Sequence, residues 1–451
     1  MKFFIKNYGC QMNLYDSSRM TDVLCMSGYE LVQDICDAEI AIFNTCSIRE
    51  KANEKLFSDL GRAKSRKFAA HQDGKKFLII VTGCVAQAHA QELQRRASYV
   101  DIILGPQDIH GIADCIHNIT ADGNVDESTF NNNCITVQTN LNANNKFAHL
   151  PDNFFRRGVS EFLTIQEGCN NFCSYCCVPH TRGREYSRDV EDVLAEARRL
   201  TAMGVKEIVL LGQNVNSYAG QGPDAKIWNL ARLLYTIAEL NGLVRMRYTT
   251  SNPKDVTAEL AKVHREVPIL APSVHLPAQS GSDRILARMN RRYSVDDYYR
   301  CVDVLMENRP DMVLTSDFIV GFPGETDDDF EKTMRFVEKI KFANAYSFKY
   351  SPRANTAAAK MDDQIPESVK SERLKALQRV LLEHQKQFNK NSVGKTVQVL
   401  FVKEGNHKNQ SVGRSEYSQA VSVCDNSIGV GDLCNVKIVK TVSHSVIGMV
   451  V

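Results

Sequence analysis

Short apolar runs alternate with amphipathic stretches in the first quarter of the chain. The apolar runs predict buried strands at Lys2–Lys6, Ile40–Asn44 and Phe77–Thr82. The stretches between them predict helices, for example at Ser17–Ser27 and Ile48–Lys64. Strands and helices that alternate at this spacing are typical of a parallel sheet covered by helices. We therefore expect residues 1–115 to form an α/β domain of the doubly wound type.

The same alternation returns after a polar segment. Residues 116–154 are turn-prone, with one short strand at most, and we interpret them as a linker. Residues 155–380 predict a second α/β domain with strands at Phe162–Gln166, Glu207–Leu211, Val244–Thr249, Ser273–Leu276, Val313–Val320 and Ala343–Lys349. Six such units indicate a partial (βα)6 barrel, an architecture whose chemistry gathers at the carboxyl ends of its strands.

The end of the chain has a different pattern. A helix is predicted from Pro366 to about Asn389. Short strands follow at Thr396–Val402, Ser411–Arg414, Ala420–Val423, Leu433–Ile438 and Val446–Val451. We assign residues 381–451 to a small OB-like β-barrel, a type that binds oligonucleotides. Its basic residues favour RNA over an ordinary solvated surface, which is the alternative: Lys386, Lys390, Lys395, Lys403, Lys408 and Arg414.

Composition narrows the possible classes of protein. A chain of 451 residues with 43% hydrophobic residues has room for about three domains. The net charge of +2 gives no global signal for nucleic acid, so any RNA site has to be a local basic patch. No apolar run reaches the roughly 18 residues of a membrane span, and the first residues lack the features of a signal peptide. We expect a soluble, cytoplasmic protein without a membrane partner.

Three of the 14 cysteines form a closely spaced motif. Cys169, Cys173 and Cys176 have the spacing Cys-x3-Cys-x2-Cys, and three thiolates so placed can hold a cubane cluster while one iron stays open. An open iron can bind a substrate or cofactor. The alternative is a zinc site with His180 as the fourth ligand, although zinc motifs usually come as two spaced pairs.

Three more cysteines each follow a predicted strand of the first domain. Cys10, Cys46 and Cys84 lie just after the three apolar runs. Because parallel strands share one carboxyl edge, we expect these cysteines to converge and to hold a second cluster. The alternative is that they are three buried structural thiols.

Two polar loops follow strands of the predicted partial barrel. Gly212, Gln213 and Asn214 come after the second strand, and Gly321-Phe-Pro-Gly-Glu-Thr326 comes after the fifth. Because both loops lie at carboxyl ends of strands, we expect them to face the first cluster and to cradle a cofactor.

Longer motifs resemble a known family. They are Tyr8-Gly-Cys-Gln-Met-Asn13, Asn44-Thr-Cys-Ser-Ile-Arg-Glu-Lys-Ala-Asn53, Val178-Pro-His-Thr-Arg-Gly183, Leu276-Pro-Ala-Gln-Ser-Gly-Ser282 and Asp317-Phe-Ile-Val-Gly-Phe-Pro-Gly-Glu-Thr326. The whole chain resembles the radical S-adenosylmethionine (SAM) methylthiotransferases, which have a three-cysteine domain, a radical SAM barrel and a TRAM domain. Ser47-Ile-Arg-Glu50 favours the branch that acts on isopentenyladenosine in tRNA. His180 and Cys177 depart from the family pattern, and we interpret Cys177 as a bystander.

The resemblance implies cofactors and roles for single residues. It implies two [4Fe-4S] clusters, one on Cys169, Cys173 and Cys176 and one on Cys10, Cys46 and Cys84. It also implies two SAM molecules per turnover, with Tyr175 against the SAM adenine and Gly212, Gln213 and Asn214 near its methionine end. The implied partners are tRNA, an electron donor such as flavodoxin or ferredoxin, and a sulfur or cluster donor.

The implied reaction is methylthiolation of adenine C2 beside the tRNA anticodon. No acidic or basic side chain has a pKa suited to removing that hydrogen as a proton, so radical chemistry fits better. We expect Arg182, Arg184, Arg188, Arg291, Arg292 and the last domain to contact phosphates, so that deletion of Gly394–Val451 weakens tRNA binding while SAM cleavage persists. The alternatives are threonylcarbamoyl-adenosine in tRNA, a ribosomal-protein side chain, or a non-catalytic iron–sulfur redox sensor that binds RNA.

Overall fold

The amino-terminal part is a six-stranded parallel sheet covered by helices. The computed structural model describes residues 1–46, 50–121, 136–155 and 157–451. The strands are β1 Lys2–Tyr8, β2 Glu30–Leu31, β3 Ile40–Thr45, β4 Leu78–Gly83, β5 Ile102–Leu104 and β6 Thr136–Gln138, in the order β2-β1-β3-β4-β5-β6. The helices are α1 Gln11–Met26, α2 Glu50–Gln72, α3 Cys84–Arg96, α4 Ile112–Ala121 and α5 Ala143–His149. Strands β3 and β4 are buried along their whole length, as their continuous apolar runs predict.

The segment expected to be a linker belongs in part to this sheet. Strand β6 pairs with β5 in parallel, so the sheet extends beyond residue 115. Helix α5 also lies in this segment, and its Lys146 is buried. The linker predicted at residues 116–154 allows one short strand, which β6 provides, whereas the sequence pattern does not predict helix α5, because tertiary contacts hold this short polar element without a hydrophobic pattern.

The central part is a partial barrel of six parallel strands. They are β7 Ser160–Thr164, β10 Glu207–Leu211, β13 Arg245–Thr249, β14 Ser273–His275, β15 Val313–Val320 and β16 Asn344–Lys349. Sheets β7-β10-β13 and β14-β15-β16 meet between Met246 and Leu270, and β16 is left as an edge. The short pairs are β8 Gln166–Glu167 with β9 Tyr186–Ser187, and β11 Ala219–Gln221 with β12 Ile227–Asn229.

Eight α-helices accompany these strands in the described part of the chain. They are α6 Val178–Thr181, α7 Val190–Ala202, α8 Leu230–Ala238, α9 Ala258–Glu266, α10 Asp283–Arg288, α11 Val295–Asn308, α12 Asp327–Ile340 and α13 Glu367–Ser392. Helix α12 begins with a capping box, in which Thr326 and Asp329 satisfy each other's backbone N–H groups. The apolar faces of the helices and the buried sides of the strands form the main core.

The carboxyl-terminal part is a closed five-stranded barrel. Its strands are β17 Thr396–Glu404, β18 Gln410–Ser415, β19 Ala420–Cys424, β20 Leu433–Val442 and β21 Ser445–Val450, in the order β17-β18-β19-β21-β20. Helix α13 runs without interruption across residue 380, where the sequence pattern predicts a domain boundary.

The closed barrel docks on the partial barrel at the amino-terminal ends of its strands. Arg245 and Arg247, at the start of β13, donate hydrogen bonds to the carbonyl oxygens of Arg414 and Ser415, at 2.7 and 2.8 Å. The carboxyl ends of the strands, where the chemistry is expected, are thus on the opposite side. Among the described helices, none has the length and apolar character that crossing a bilayer requires.

Candidate active site

The first three cysteines converge at one edge of the amino-terminal sheet. The register pairs Tyr8 with Thr45 and Thr45 with Gly83, so strands β1, β3 and β4 end at the same level. Cys10 is the residue before helix α1, Cys46 follows β3 directly, and Cys84 is the first residue of α3. The expected convergence of these cysteines is therefore present.

Backbone geometry and an asparagine hold this edge together. Gly83 has a φ of 92°, and a Cβ there would collide with the carbonyl oxygen of Thr45. Asn13 Nδ2 donates to Asn44 Oδ1 and to the Thr45 carbonyl oxygen, at 2.9 and 2.8 Å. The Asn13 carboxamide oxygen in turn accepts a hydrogen bond from Cys10 Sγ at 3.1 Å. The strand ends thus fix the positions of the thiols.

The electrostatic surroundings favour a thiolate at Cys10. A hydrogen bond with Cys46, assisted by the Arg182 guanidinium, lowers the pKa of Cys10 to about 6. Burial raises the pKa of Cys84, and the positive charge of Arg182 opposes that rise. One buried cation therefore acts on two of the three thiols.

The second cysteine set lies in the loop that follows β8. Cys169 Sγ accepts hydrogen bonds from the backbone N–H and from Nδ2 of Asn171, at 3.5 and 3.3 Å. Arg291 Nη1 lies 3.7 Å from Cys173 Sγ. Donors that point at sulfur are the usual surroundings of metal-bound thiolates. Burial raises the pKa of Cys176 well above its ordinary value, and a bound metal ion would favour its thiolate.

The loop that carries these cysteines is tied to helix α10 and the turn after it. Phe172 has a φ of 47°, and its carbonyl oxygen accepts a hydrogen bond from Asn290 Nδ2 at 2.9 Å. Ser174 Oγ donates to the Arg288 carbonyl oxygen at 2.8 Å. The strained backbone at Phe172 is thus held by contacts outside the loop.

All six cysteines line one cavity of about 320 Å³. The amino-terminal sheet edge forms one wall, and the carboxyl ends of the partial-barrel strands form the others. Tyr175, Gly212, Gln213 and Asn214 also line it. The two cysteine sets predicted from separate domains therefore face a single space.

The polar loop after β10 is held by hydrogen bonds within the protein. Gln166 Oε1 accepts from the backbone N–H groups of Gln213 and Asn214, at 2.9 and 3.2 Å. Gln213 Oε1 accepts from the N–H of Gly168 at 2.6 Å. These bonds fix the loop beside the cysteine loop and leave Asn214 Oδ1 buried without a partner among the described atoms. A buried acceptor without a donor is a natural contact for a bound ammonium or amide group.

The other predicted loop is not part of the cavity wall. Gly321 packs against Lys370 and Gly324 against Asp363, so the glycines serve turns next to the α13 region. None of the residues of Gly321–Thr326 lines the cavity, so the expectation that this loop cradles a cofactor stays a prediction. The strand before it does contribute, through Asp317 and Ile319.

Four buried charged groups join the two α/β domains beside the cavity. Lys146 Nζ lies 2.6 Å from Asp16 Oδ1 and 2.9 Å from Glu167 Oε1. Arg182 pairs with Asp16 and also with Glu167. Burial alone would raise the pKa of Asp16, but Arg182 and Lys146 outweigh it and hold that pKa below its usual value. We call these four residues the interdomain charge cluster.

The arginines expected at phosphates divide into two groups. Arg182 and Arg188 are 2% and 6% exposed, and Arg188 Nη1 is 2.7 Å from Glu196 Oε2. The expected phosphate contact is wrong for these two, because ion pairs bury their guanidinium groups. Arg291 is directed at the cysteine loop, whereas Arg184 and Arg292 are exposed.

Two further predictions from the sequence can be compared with the geometry. His180 is exposed on α6 and does not line the cavity, which argues against the zinc alternative. Cys177, interpreted as a bystander, does line the cavity and is near enough to Cys84 and Cys176 to affect their pKa values.

Residues 47–49 of the branch motif lie outside the described residues, as does most of the polar segment before β6.

Comparison with known proteins identifies a family match for each of the three parts of the chain. Residues 2–105 match Uncharacterized protein family UPF0004, residues 163–337 match the radical SAM superfamily, and residues 390–451 match the TRAM domain. A tRNA-2-methylthio-N(6)-dimethylallyladenosine synthase of Agrobacterium fabrum is 47% identical over 448 residues, which cover 98% of this chain and 96% of the relative.

Solved structures share the fold at low identity. The radical SAM methyltransferase TsrM from Kitasatospora setae aligns with a TM-score of 0.56 at 14% identity, over 79% of this chain and 77% of its own. The cobalamin-dependent SAM radical enzyme OxsB aligns with a TM-score of 0.52 at 12% identity, over 84% of this chain and 56% of its own. At these identities the likeness concerns the fold alone.

Proposed function

The chain belongs to the radical SAM methylthiotransferase family of tRNA-2-methylthio-N(6)-dimethylallyladenosine synthases, and we propose that it methylthiolates adenine C2 of isopentenyladenosine in tRNA. The observation that carries this proposal is the single cavity that both cysteine sets line. An adenine in that cavity would have one set on each side. This arrangement allows hydrogen removal and sulfur insertion to take place at one carbon, because the substrate stays in one site for both steps.

The donor set at Cys169, Cys173 and Cys176 fits a [4Fe-4S] cluster with SAM. Three thiols leave one iron open, and the surrounding N–H donors and the Arg291 guanidinium suit thiolate ligands. Bound there, the cluster and SAM supply the radical chemistry that removes an unactivated hydrogen. Asn214 and Gln213 would orient the polar end of SAM, and Tyr175 would pack against its adenine.

We propose a second [4Fe-4S] cluster on Cys10, Cys46 and Cys84. Three thiols at one sheet edge, with the buried Arg182 beside them, suit an anionic group that needs charge compensation. Sulfur delivered here and a second SAM per turnover would provide the methylthio group.

The proposed partners follow from this chemistry. The substrate is tRNA, with the loop base splayed out into the cavity, as is usual for recognition of single-stranded RNA. A one-electron donor such as flavodoxin or ferredoxin would reduce the first cluster. A sulfur or cluster donor would replenish the second.

Separate removal of the two cysteine sets tests the proposal. We expect reconstituted wild type to bind about eight irons, since two cubanes hold four each. The triple variant Cys169→Ala, Cys173→Ala, Cys176→Ala should bind about half as much and yield no 5′-deoxyadenosine from SAM.

The triple variant Cys10→Ala, Cys46→Ala, Cys84→Ala should also bind about half the iron, yet it should still cleave SAM. The matched control is Cys36→Ala, Cys424→Ala, which removes two exposed thiols outside the cavity. A wild type that binds only four irons would contradict the second site. A wild type that binds RNA but yields no 5′-deoxyadenosine would support the redox-sensor alternative.

A further inference from the structure

Two large aromatic side chains are exposed on the last strand of the partial barrel. Tyr346 and Phe348 of β16 are 56% and 38% exposed. Strand β16 is an edge, because the six strands do not close into a full barrel. Exposed aromatic rings at a sheet edge next to a cavity indicate a binding surface, whereas single apolar residues scattered over the surface do not.

The strand register places both rings on the inner side of the open barrel. Tyr346 pairs with Asp317, and Phe348 pairs with Ile319. Paired residues on neighbouring parallel strands project to the same face. Because Asp317, Ile319 and Phe348 line the cavity, the face that carries Tyr346 and Phe348 continues from the cavity toward solvent.

This face lies at the open side of the cavity. The amino-terminal sheet edge covers the carboxyl ends of the strands. No described strand pairs with the free edge of β16, and Tyr346 and Phe348 are exposed there although helix α13 packs against this strand. A loop nucleotide that enters from this side has to pass the two rings. Alternate residues on a strand are about 7 Å apart, so nucleotides next to the reacting base can reach both rings.

We propose that Tyr346 and Phe348 form a stacking platform for the unpaired nucleotides that flank the target adenine. The inference rests on the proposed function, since it assigns RNA to the same cavity. Aromatic rings bind unstacked bases through their faces, and a nearby cation serves the phosphates between them. Arg353, just after β16, lines the cavity and is placed for that role.

RNA suits this surface better than a folded protein partner does. The two rings are on the concave side of the sheet, which a single strand of RNA can enter and the broad surface of a folded protein cannot. The face is also continuous with the cavity in which the adenine would react.

Equilibrium binding of an RNA hairpin tests the platform. The hairpin carries isopentenyladenosine in its loop and 2-aminopurine at the adjacent position, and the protein is the full reconstituted chain. Tyr346→Ala and Phe348→Ala should each weaken binding about tenfold and reduce the quenching of 2-aminopurine. Phe348→Tyr should restore both, because it keeps the ring. The slope of affinity against salt should stay unchanged, since these substitutions remove no positive charge.

Phe68→Ala is the matched control, because Phe68 is 54% exposed on α2 and does not line the cavity. It should bind the hairpin like wild type. Alanine variants with wild-type affinity and quenching would overturn the platform while the proposed function stands. Normal RNA binding with impaired reduction by flavodoxin would also overturn it and indicate a protein-docking surface. A wild type that does not bind the hairpin would overturn the proposed function together with this inference.

Discussion

Arg182 acts on both the domain interface and the cavity. Its guanidinium pairs with Asp16 of the first domain and with Glu167 of the second, and it is close to the thiols of Cys10 and Cys84. A buried carboxylate that loses its cation keeps its desolvation penalty without compensation. The side chain that the sequence suggested for phosphate binding is thus an internal structural charge.

Replacement of Arg182 should destabilise the protein strongly. In Arg182→Met, Lys146 is the remaining cation of the interdomain charge cluster and faces both Asp16 and Glu167. The free energy of unfolding should therefore fall by about 3–5 kcal/mol. Denaturant unfolding checks this. The control Arg184→Met, two residues away and exposed, should change stability by less than about 0.5 kcal/mol. Equal stability of the two variants would show that the interdomain charge cluster contributes little to the free energy of unfolding.

His264 should make stability depend on pH. It is fully buried against Tyr248, and burial together with Arg309 lowers its pKa from 6.5 to about 3. The unfolded chain therefore binds a proton between pH 6.5 and 3 that the folded protein does not. This contribution to stability is present above pH 6.5 and is lost as the pH falls toward 3.

The fall can be measured as the free energy of unfolding at pH 7 and at pH 5. Wild type should lose about 2 kcal/mol more than His264→Gln over this interval, because pH 5 lies about 1.5 units below the unfolded pKa. His407→Gln, at an exposed position, should behave like wild type. The same pH dependence in His264→Gln and wild type would mean that another group is responsible.

At the scale of elements, the hydrophobic pattern identifies strands better than it identifies what joins them. The predicted strands Glu207–Leu211 and Val313–Val320 have the observed bounds. The first is buried along its whole length, and the second alternates buried and half-buried positions, so both have a pattern typical of strands. Convergence of Cys10, Cys46 and Cys84 follows from parallel strands alone. Helix α5 could not be predicted, since tertiary ion pairs of Lys146 hold it in place.

Strand β13 provides an element-scale test, because it anchors the closed barrel. Arg247 donates to the carbonyl oxygens of Glu416 and Ser415 and to Ser418 Oγ, at 3.1, 2.8 and 2.7 Å. Arg247→Met should lower stability by about 3 kcal/mol and make residues 390–451 more sensitive to protease, as calorimetry and limited proteolysis can detect.

Arg265→Met is the matched control for this anchor, because Arg265 is exposed on α9. It should leave both measurements unchanged. If Arg247→Met were cleaved no faster than this control, docking would depend on other contacts, such as those of Arg245.

At the scale of the whole molecule, the closed barrel and the cavity lie at opposite ends of the partial-barrel strands. An RNA that reaches both has to extend along the partial barrel. Lys403 and Lys408 are exposed on the closed barrel and are candidates for phosphate contacts. Lys403→Gln, Lys408→Gln should weaken tRNA binding and reduce the salt slope by about 1 for each phosphate that a lysine no longer neutralises, measured by titration at several salt concentrations.

Lys262→Gln, an exposed substitution on α9, is the control for general charge effects. An unchanged salt slope in the double variant would assign the phosphate contacts elsewhere. The lysine double variant tests the phosphate contacts more specifically than deletion of Gly394–Val451 does, because deletion would also expose Arg245 and Arg247.

Mass spectrometry of tRNA nucleosides tests whether the protein methylthiolates RNA and whether the reaction requires both cysteine sets. The reaction is anaerobic and contains reconstituted protein, SAM, a reductant and tRNA with isopentenyladenosine. We expect 2-methylthio-isopentenyladenosine from wild type and none from either triple cysteine variant, because both sets serve one cavity. The same methylthiolated product from a variant without Cys10, Cys46 and Cys84 would refute this mechanism, and so would 5′-deoxyadenosine from wild type without any methylthiolated tRNA.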